Sequence, residues 1–287
     1  MILVTGATGT VGGAVLARLR ADGVPATALT RSPEKADLPP GTRVVGGDLG
    51  VPESLPPALD GIDSVFLMSP GHCKAIHDAN LVKAAADAGV KRIVQLSSAG
   101  VAEAEESGQD NALAAWHRDA EDALRASSLE WTILRPGEFM SNALAWAGSI
   151  SADGTAATPA PDLVQAPIDP ADIAAVAVEA LCGHGHAGKT YDLSGPEQLS
   201  AAGQIAVLGE VLNRDIEVRR VSLAQHRAAM LRKHPEETVA GVLESLEQAL
   251  AWPGNVRAEC VPTVSEVLGR PAATFREWAV RHAPAFS

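Results

Sequence analysis

A doubly wound parallel α/β sheet, followed by a smaller and mostly helical C-terminal lobe, is the fold class this sequence predicts. Two observations carry the sheet. From residue 2 to about residue 135, short apolar runs alternate with stretches of helical period, the pattern of linked βαβ units. Between the first run and the first helical stretch stands a glycine-rich turn, Gly6-x-x-Gly9-x-x-Gly12. A third observation sets off the lobe. Beyond about residue 138 the alternation lapses into a Gly-, Ala- and Pro-rich tract at 148–166, and then into mainly helical segments.

Ile2, Leu3 and Val4 read as a strand buried on both faces. Ala14, Val15, Leu16, Leu19 and Ala21 recur at helical spacing after the turn. Strand, glycine turn and helix suit phosphate binding: free N–H groups and the positive end of the helix dipole meet a pyrophosphate there. The glycines permit the tight turn, a close phosphate and close helix–strand packing. Residues 25–30 form the second strand, ending at Arg31, and residues 42–47 the third, ending at Asp48-Leu49. Residues 62–68 form the fourth, followed by Ser69-Pro70-Gly71, and residues 73–88 a helix with Ile76, Leu81, Val82 and Ala85 inward. Residues 91–96 are the fifth strand, ending at Ser97-Ser98. The polar, small residues 101–110 predict a mobile loop. Residues 111–127 predict a helix with Leu113, Trp116, Ala120 and Leu124 on one stripe. The sixth strand, 130–135, is stopped by Pro136-Gly137.

Ligands of such a sheet bind outside the carboxyl ends of its strands, so these turns are expected to open onto one crevice. Residues 1–147 are therefore assigned to a dinucleotide-binding domain, with some later segments returning to it. Residues 148–287 are assigned to a substrate-binding, capping lobe. Its expected elements are a helix at 172–181, a strand at 189–193, a helix capped by Ser200 and running to Asn213, a strand at 216–221 and a helical stretch at 223–251 split at Pro235, with the segments 262–268 and 272–282 finishing a mostly helical lobe.

Composition narrows the function. The chain has 287 residues, 46% hydrophobic and 20% charged, enough for a large core. Its net charge of −12 speaks against a nucleic-acid partner. Cys73, Cys182 and Cys260 are widely spaced and odd in number, which predicts no disulfide framework, no metal site and a reducing, cytoplasmic setting. A strand beginning at residue 2 predicts no secretory leader, and no apolar run is long enough to span a membrane.

The second strand decides between cofactors. An acidic residue near its end would hold the ribose hydroxyls of NAD(H); an arginine accommodates a 2′-phosphate. Arg31 stands there with Lys35 close by, so NADP(H) is expected. As an alternative, Arg31 is a solvated loop charge.

Thr5-Gly-Ala-Thr-Gly-Thr-Val-Gly12, Thr30-Arg31, Gly47-Asp48, Val90-Lys-Arg-Ile-Val94, Trp131-Thr-Ile-Leu-Arg-Pro-Gly137 with Phe139-Met140, and Gly188-Lys-Thr-Tyr-Asp-Leu193 resemble an atypical short-chain dehydrogenase/reductase of the NmrA-like, triphenylmethane-reductase-like type. The likeness covers nearly the whole chain. It implies a Rossmann-type sheet in which Gly6, Thr8, Gly9, Thr10 and Val11 hold the pyrophosphate and Arg31 the 2′-phosphate. It implies further that Asp48 and Leu49 flank the adenine, that Met68, Ser69 and Pro70 line the nicotinamide side, and that Ser97 with the segment Pro136–Phe139 surrounds the nicotinamide ring.

Ordinary members of that superfamily use a Ser with Tyr-x-x-x-Lys, the tyrosine protonating the nascent alkoxide. Aligned on Glu121, the tyrosine position here is Leu113 and the lysine position His117, and the one tyrosine, Tyr191, lies in a later strand. Losing a general acid removes a factor of about 10² to 10⁴. His117 has a useful pKa range and shares a helix face with Leu113, so His117 and Ser97 are the catalytic candidates. The alternatives are a buried histidine bonded to backbone or ribose, and a serine that only closes its turn. His72, Cys73 and His77 follow the fourth strand as loop residues, and His184-Gly-His186 lacks a third metal ligand nearby. A third route is substrate assistance, in which an aromatic ketone or quinone with a neighbouring phenol supplies its own proton. Phe139, Met140, Ala143, Leu144 and Trp146 offer an apolar wall for a flat molecule, or are simply lobe core. The expected function is thus an NADPH-dependent reductase of an aromatic, quinone or polyketide-like carbonyl, a monomer or homodimer. The alternative is a non-catalytic NADP(H) redox sensor acting through a protein partner.

Overall fold

The computed structural model describes residues 1–251 and 259–287. In chain order the elements are β1 (Ile2–Val4), α1 (Thr10–Ala21), β2 (Ala26–Thr30), β3 (Arg43–Gly46), β4 (Ser64–Leu67), α2 (Lys74–Asp87), β5 (Arg92–Leu96), α3 (Gly100–Ser107), α4 (Ala112–Arg125) and β6 (Glu130–Pro136). They continue with α5 (Ala147–Asp153), β7 (Thr155–Thr158), β8 (Val164–Gln165), α6 (Pro170–Cys182), β9 (Lys189–Leu193), β10 (Leu199–Ser200), α7 (Ala201–Leu212) and β11 (Glu217–Arg220). The last four are α8 (Leu223–Met230), α9 (Glu236–Ala251), α10 (Thr263–Leu268) and α11 (Phe275–His282).

The chain divides into two compact units: residues 1–136 with 170–192, and residues 137–169 with 193–287. The first holds the sheet, in the order β3-β2-β1-β4-β5-β6-β9. Strands β1 to β6 pair in parallel, as in Ile2↔Ala26, Ile2↔Ser64, Thr27↔Arg43, Ser64↔Arg92 and Arg92↔Glu130. Order 3-2-1-4-5-6 is the doubly wound topology, and its direction reverses between β1 and β4. Helix α1 packs on α6, and α2 on α4. Leu3, Leu29, Val65, Leu67, Leu81, Ile93, Leu124 and Ile133 fill one side of this core. In the second unit Met140, Ile150, Ile205, Leu208, Phe275, Trp278 and Phe286 form a separate core, β11 pairs in parallel with β7, and β10 antiparallel with β8.

Local signals explain most ends. Asn111 caps α4, accepting from the Ala114 N–H at 2.9 Å, and Ser200 caps α7 through Gly203 at 3.0 Å. Asn213 ends α7 at φ +50°, in the left-handed region. Three expectations change. Residues 101–110 are mostly the helix α3, because the Ala- and Glu-rich run favours helix until Gly108 turns left-handed at φ +68°. The tract 148–166 contains α5, β7 and β8, ordered by packing within the second unit. Ile76 points to solvent, since α2 buries Lys74, Asp78, Leu81, Val82 and Ala85 instead.

Candidate functional site

In the first unit, parallel pairing brings the ends of β1 to β6 to one edge of the sheet. The glycine turn stands at that edge, beside the reversal. Gly6 takes φ +60°, and a Cβ on it would lie 2.6 Å from Met68 Sδ. A Cβ on Gly12 would lie 2.2 Å from the Gly6 carbonyl oxygen and 2.9 Å from that of Thr5, so α1 can approach β1 only with glycine there. Buried Thr5 locks the turn to β4: its hydroxyl donates to the Met68 carbonyl at 2.7 Å and accepts from the Met68 N–H at 2.7 Å. At the start of α1, Gly9 offers no side-chain cap and the first turn carries no acidic residue. Thr8, Gly9 and Thr10 are exposed. Uncapped N–H groups at a helix start fit a phosphate.

Arg31 follows β2, exposed and without an ion pair among the described residues. After β3, Asp48 is held in place by its own loop. Its N–H donates to Ser54 at 2.8 Å, and its carboxylate accepts from the Gly50 N–H at 2.8 Å. The Leu49 carbonyl accepts from Asn80 at 2.8 Å. A Cβ on Gly50 would meet His77 Nε2 at 3.2 Å, which puts His77 beside the Asp48 loop.

Two buried polar networks lie behind β4, β5 and β6. In one, Asp78 accepts from Ser69, from Lys74 at 2.8 Å and from Gln95 at 2.8 Å; all four side chains are buried. In the other, Glu121 accepts hydrogen bonds from the Ser97 hydroxyl, from a bidentate Arg135 at 2.9 and 2.7 Å, and from Arg125 at 2.9 Å. Arg135 also reaches Glu105 of α3 at 3.3 Å. Burial alone would lower the Arg135 pKa, but the two carboxylates outweigh it and raise it. The Ser97 hydroxyl is therefore committed to Glu121. His117 is held well below the ordinary histidine range, chiefly by burial and secondly by the Lys74 ammonium, and its Nδ1 is buried with no partner among the described residues. It is neutral at pH 7, a poor imidazolium donor.

The remaining candidates fall elsewhere. His72 meets Trp116 edge-on at 6.4 Å, and Cys73 precedes α2. The Tyr191 hydroxyl lies 2.9 Å from His186 Nδ1, so both side chains serve the β9 edge. No group of three His, Cys, Asp or Glu among the described residues suits a metal ion. In the second unit, Phe139 bridges in parallel to Ile168, Met140 and Ala143 are buried in the core, and Trp146 donates to the Ala157 carbonyl at 3.0 Å. Leu144 is exposed. Sequence reasoning passed over Glu138, whose carboxyl is pushed up to about 7 by burial against the opposing effect of the Gln204 amide. The networks were signalled by Arg135 and Gln95, polar residues in otherwise apolar strands that need partners. No pattern named the partners.

Residues 6–182 match the NAD(P)H-binding family. The chain is 41% identical to the (4-alkanoyl-5-oxo-2,5-dihydrofuran-3-yl)methyl phosphate reductase of Streptomyces griseus, over 100% of this chain and 99% of that protein. It resembles the NADPH-dependent quinone oxidoreductase of Escherichia coli, solved with NADPH, at TM-score 0.79 and 28% identity over 98% of this chain and 99% of the other. It also resembles the Citrobacter sp. triphenylmethane reductase, solved with NADP(H), at TM-score 0.78 and 28% identity over 98% and 99%. No helix among the described residues is long and apolar enough to cross a membrane. With a glycine turn at the reversal of a parallel sheet, and relatives that align over its whole length, this chain belongs to the NAD(P)H-binding family, as an NAD(P)H-dependent oxidoreductase of the atypical, NmrA-like short-chain dehydrogenase/reductase type.

Proposed function

We propose that the protein is an NADPH-dependent reductase of a flat, conjugated carbonyl: a quinone, an aromatic ketone or a polyketide-like substrate. The cofactor, when bound, supplies the hydride. Gly6, Thr8, Gly9, Thr10 and Val11 hold its pyrophosphate at the start of α1. Arg31 takes the 2′-phosphate, Asp48 and Leu49 the adenine, and Met68, Ser69 and Pro70 the nicotinamide side, with Ser97, Pro136 and Phe139 around the ring. The first unit thus serves the dinucleotide and the second the substrate.

The observation that carries the preference for NADPH is Arg31, exposed after β2 with no carboxylate paired to it among the described residues. A guanidinium free of a partner is available to a phosphate. The acceptor class is supported by the relatives, whose names give as substrates a (4-alkanoyl-5-oxo-2,5-dihydrofuran-3-yl)methyl phosphate, quinones and triphenylmethane dyes. Helix α4 carries Leu113 and His117 in place of the tyrosine and lysine, and the Ser97 hydroxyl donates its hydrogen bond to Glu121. Ser97 and His117 therefore act by positioning: Ser97 fixes the turn after β5, and neutral His117 offers a hydrogen bond without a charge. The proton comes from the substrate's own phenol or from water.

The test is a spectrophotometric screen of NADPH and NADH oxidation against quinones and hydroxyaryl ketones. Consumption of NADPH with at least one of these acceptors is expected. No turnover with any of them, while NADPH binds, overturns the acceptor class.

A further inference from the structure

The two buried polar networks of the first unit fix the heights of α2 and α4 against the sheet, and one turn above each network stands a titratable side chain. Glu121 of α4 meets Ser97, the first residue past β5, and Arg135 near the end of β6, so it stands level with the carboxyl ends of these strands. Helix α4 runs back toward the start of β6. His117, four residues earlier on the same face, therefore stands about 6 Å farther out, at a rise of about 1.5 Å per residue. In α2, Asp78 meets Ser69, just past β4, and Gln95 of β5, and Lys74 stands one turn farther out. Helix α2 packs on α4, and the Gln95 amide ties the two, donating to Asp78 at 2.8 Å and to the Ala120 carbonyl at 3.1 Å. All of these residues belong to the first unit. Lys74 and His117 thus stand beyond the strand ends, where ligands of a doubly wound sheet bind.

The two nitrogens of the His117 ring have different surroundings. Nδ1 is buried and has no partner among the described residues. Nε2 is not enclosed in that way and makes no bond among them, so it is the nitrogen open to a ligand. Lys74 is fully buried, and Asp78 at 2.8 Å is its one partner among the described residues. An ammonium has three N–H groups, so donors remain to face a buried lone pair. Its charge already acts on the ring, second to burial. A positive charge beside Nδ1 attracts a lone pair there and repels an N–H dipole, which leaves the ring proton on Nε2. Other charges on α4 are paired: Arg118 with Asp110, and Arg125 with Glu121 and Asp122. His72, on the segment before α2, meets Trp116.

We propose that Lys74 is a positioning residue that holds the His117 proton on Nε2, and that this N–H hydrogen-bonds the substrate's carbonyl oxygen as the oxygen gains negative charge. This rests on the reductase function proposed above and names the group that meets the reacting oxygen. The carbonyl carbon gains a C–H bond with the electron pair of the NADPH hydride, and NADPH is oxidised to NADP⁺. The C=O π pair becomes a lone pair on oxygen, which takes its proton from the substrate's phenol or from water. His117 keeps its own proton and stays uncharged throughout. It acts as an oxyanion-hole donor does, binding most strongly the charge that develops in the transition state.

Two measurements test it. The first needs no turnover: nitrogen NMR of the histidine rings in the full chain, with and without NADP⁺, the His117 signals being those lost in His117→Phe. An unprotonated Nδ1 and a protonated Nε2 are expected in the wild type, and a proton shared between the two nitrogens in Lys74→Met. That variant strands Asp78 as a buried charge, so Lys74→Met with Asp78→Asn serves if it fails to fold. A proton on Nδ1 in the wild type, or an unchanged ring in a folded variant lacking Lys74, overturns the assignment. The second uses whichever acceptor the wild type reduces. His117→Phe should lower kcat by about 10² or more, the lower range for one lost oxyanion donor, with KM for NADPH little changed. The folded variant lacking Lys74 should lose kcat in the same direction and by less. Wild-type kcat in folded His117→Phe, or a raised KM for NADPH with kcat unchanged, overturns the hydrogen bond to the carbonyl oxygen. If the wild type oxidises NADPH with no acceptor, the reductase function fails, and the NMR still decides whether Lys74 sets the His117 tautomer.

Discussion

Removing Glu121 should unfold the first unit far more readily than removing Glu105, although both bind the same arginine. Glu121 is fully buried and holds Arg135 through two bonds, Arg125 through one, and the Ser97 hydroxyl. The Arg135 side chain is only 7% exposed, whereas Glu105 is 52% exposed. Taking away one partner of a buried ion pair costs about 3–5 kcal/mol, because the charge left behind is uncompensated. Glu105 still reaches Arg135 at 3.3 Å, so the lower end applies, about 3 kcal/mol for Glu121→Ala. A solvent-exposed pair contributes about 0–1 kcal/mol, the range expected for Glu105→Ala. For a unit of this size 1 kcal/mol corresponds to about 2–4 °C, so Glu121→Ala should lower the melting temperature by about 6–12 °C. Glu121→Gln keeps the volume and removes the charge, and separates the ionic loss from the cavity. Urea unfolding and calorimetry of the three variants are the assay. A loss below about 1 kcal/mol for Glu121→Ala, or equal losses for the two alanine variants, would refute the reasoning.

Arg31→Ala should erase most of the preference for NADPH over NADH, by about tenfold or more, the worth of one charge-assisted contact; calorimetric titration with both cofactors checks it, and an unchanged ratio counts against the assignment. Gly9→Val should abolish cofactor binding in a folded protein, since the site's N–H groups start α1 and a Cβ there already sits 3.2 Å from the Gly6 carbonyl oxygen; normal NADPH affinity with a native circular-dichroism spectrum would show the phosphate turn to be misassigned. His117 is predicted to make stability fall as pH drops. Its folded pKa is depressed below 6.5, so the unfolded state takes up the proton first, and stability present above 6.5 is lost on the way down to the folded pKa. The slope should flatten in His117→Gln, and an identical slope in that variant rules histidine out as its source.

The glycine turn, the six parallel strands and the position of Arg31 were legible in the sequence because each depends on local chemistry. A helix start without a capping side chain, a turn that needs Gly6 at positive φ and a buried strand of Ile2, Leu3 and Val4 are all stated within a dozen residues. The same is true of the caps at Asn111 and Ser200. The partners of the polar residues were not legible. Arg135 could be seen to need a carboxylate, but Glu121 and Glu105 stand 14 and 30 residues away, on helices whose rotation about their axes the sequence leaves open. That geometry turned Ser97 from a free hydroxyl into a donor to Glu121, and placed His117 where burial and Lys74 keep it neutral. Gln204 and Glu138 are 66 residues apart and carry no motif. Hydrophobic period and glycine spacing act along the chain and set the fold. A side chain's charge state depends on what packs around it in three dimensions, and only the tertiary structure decides that.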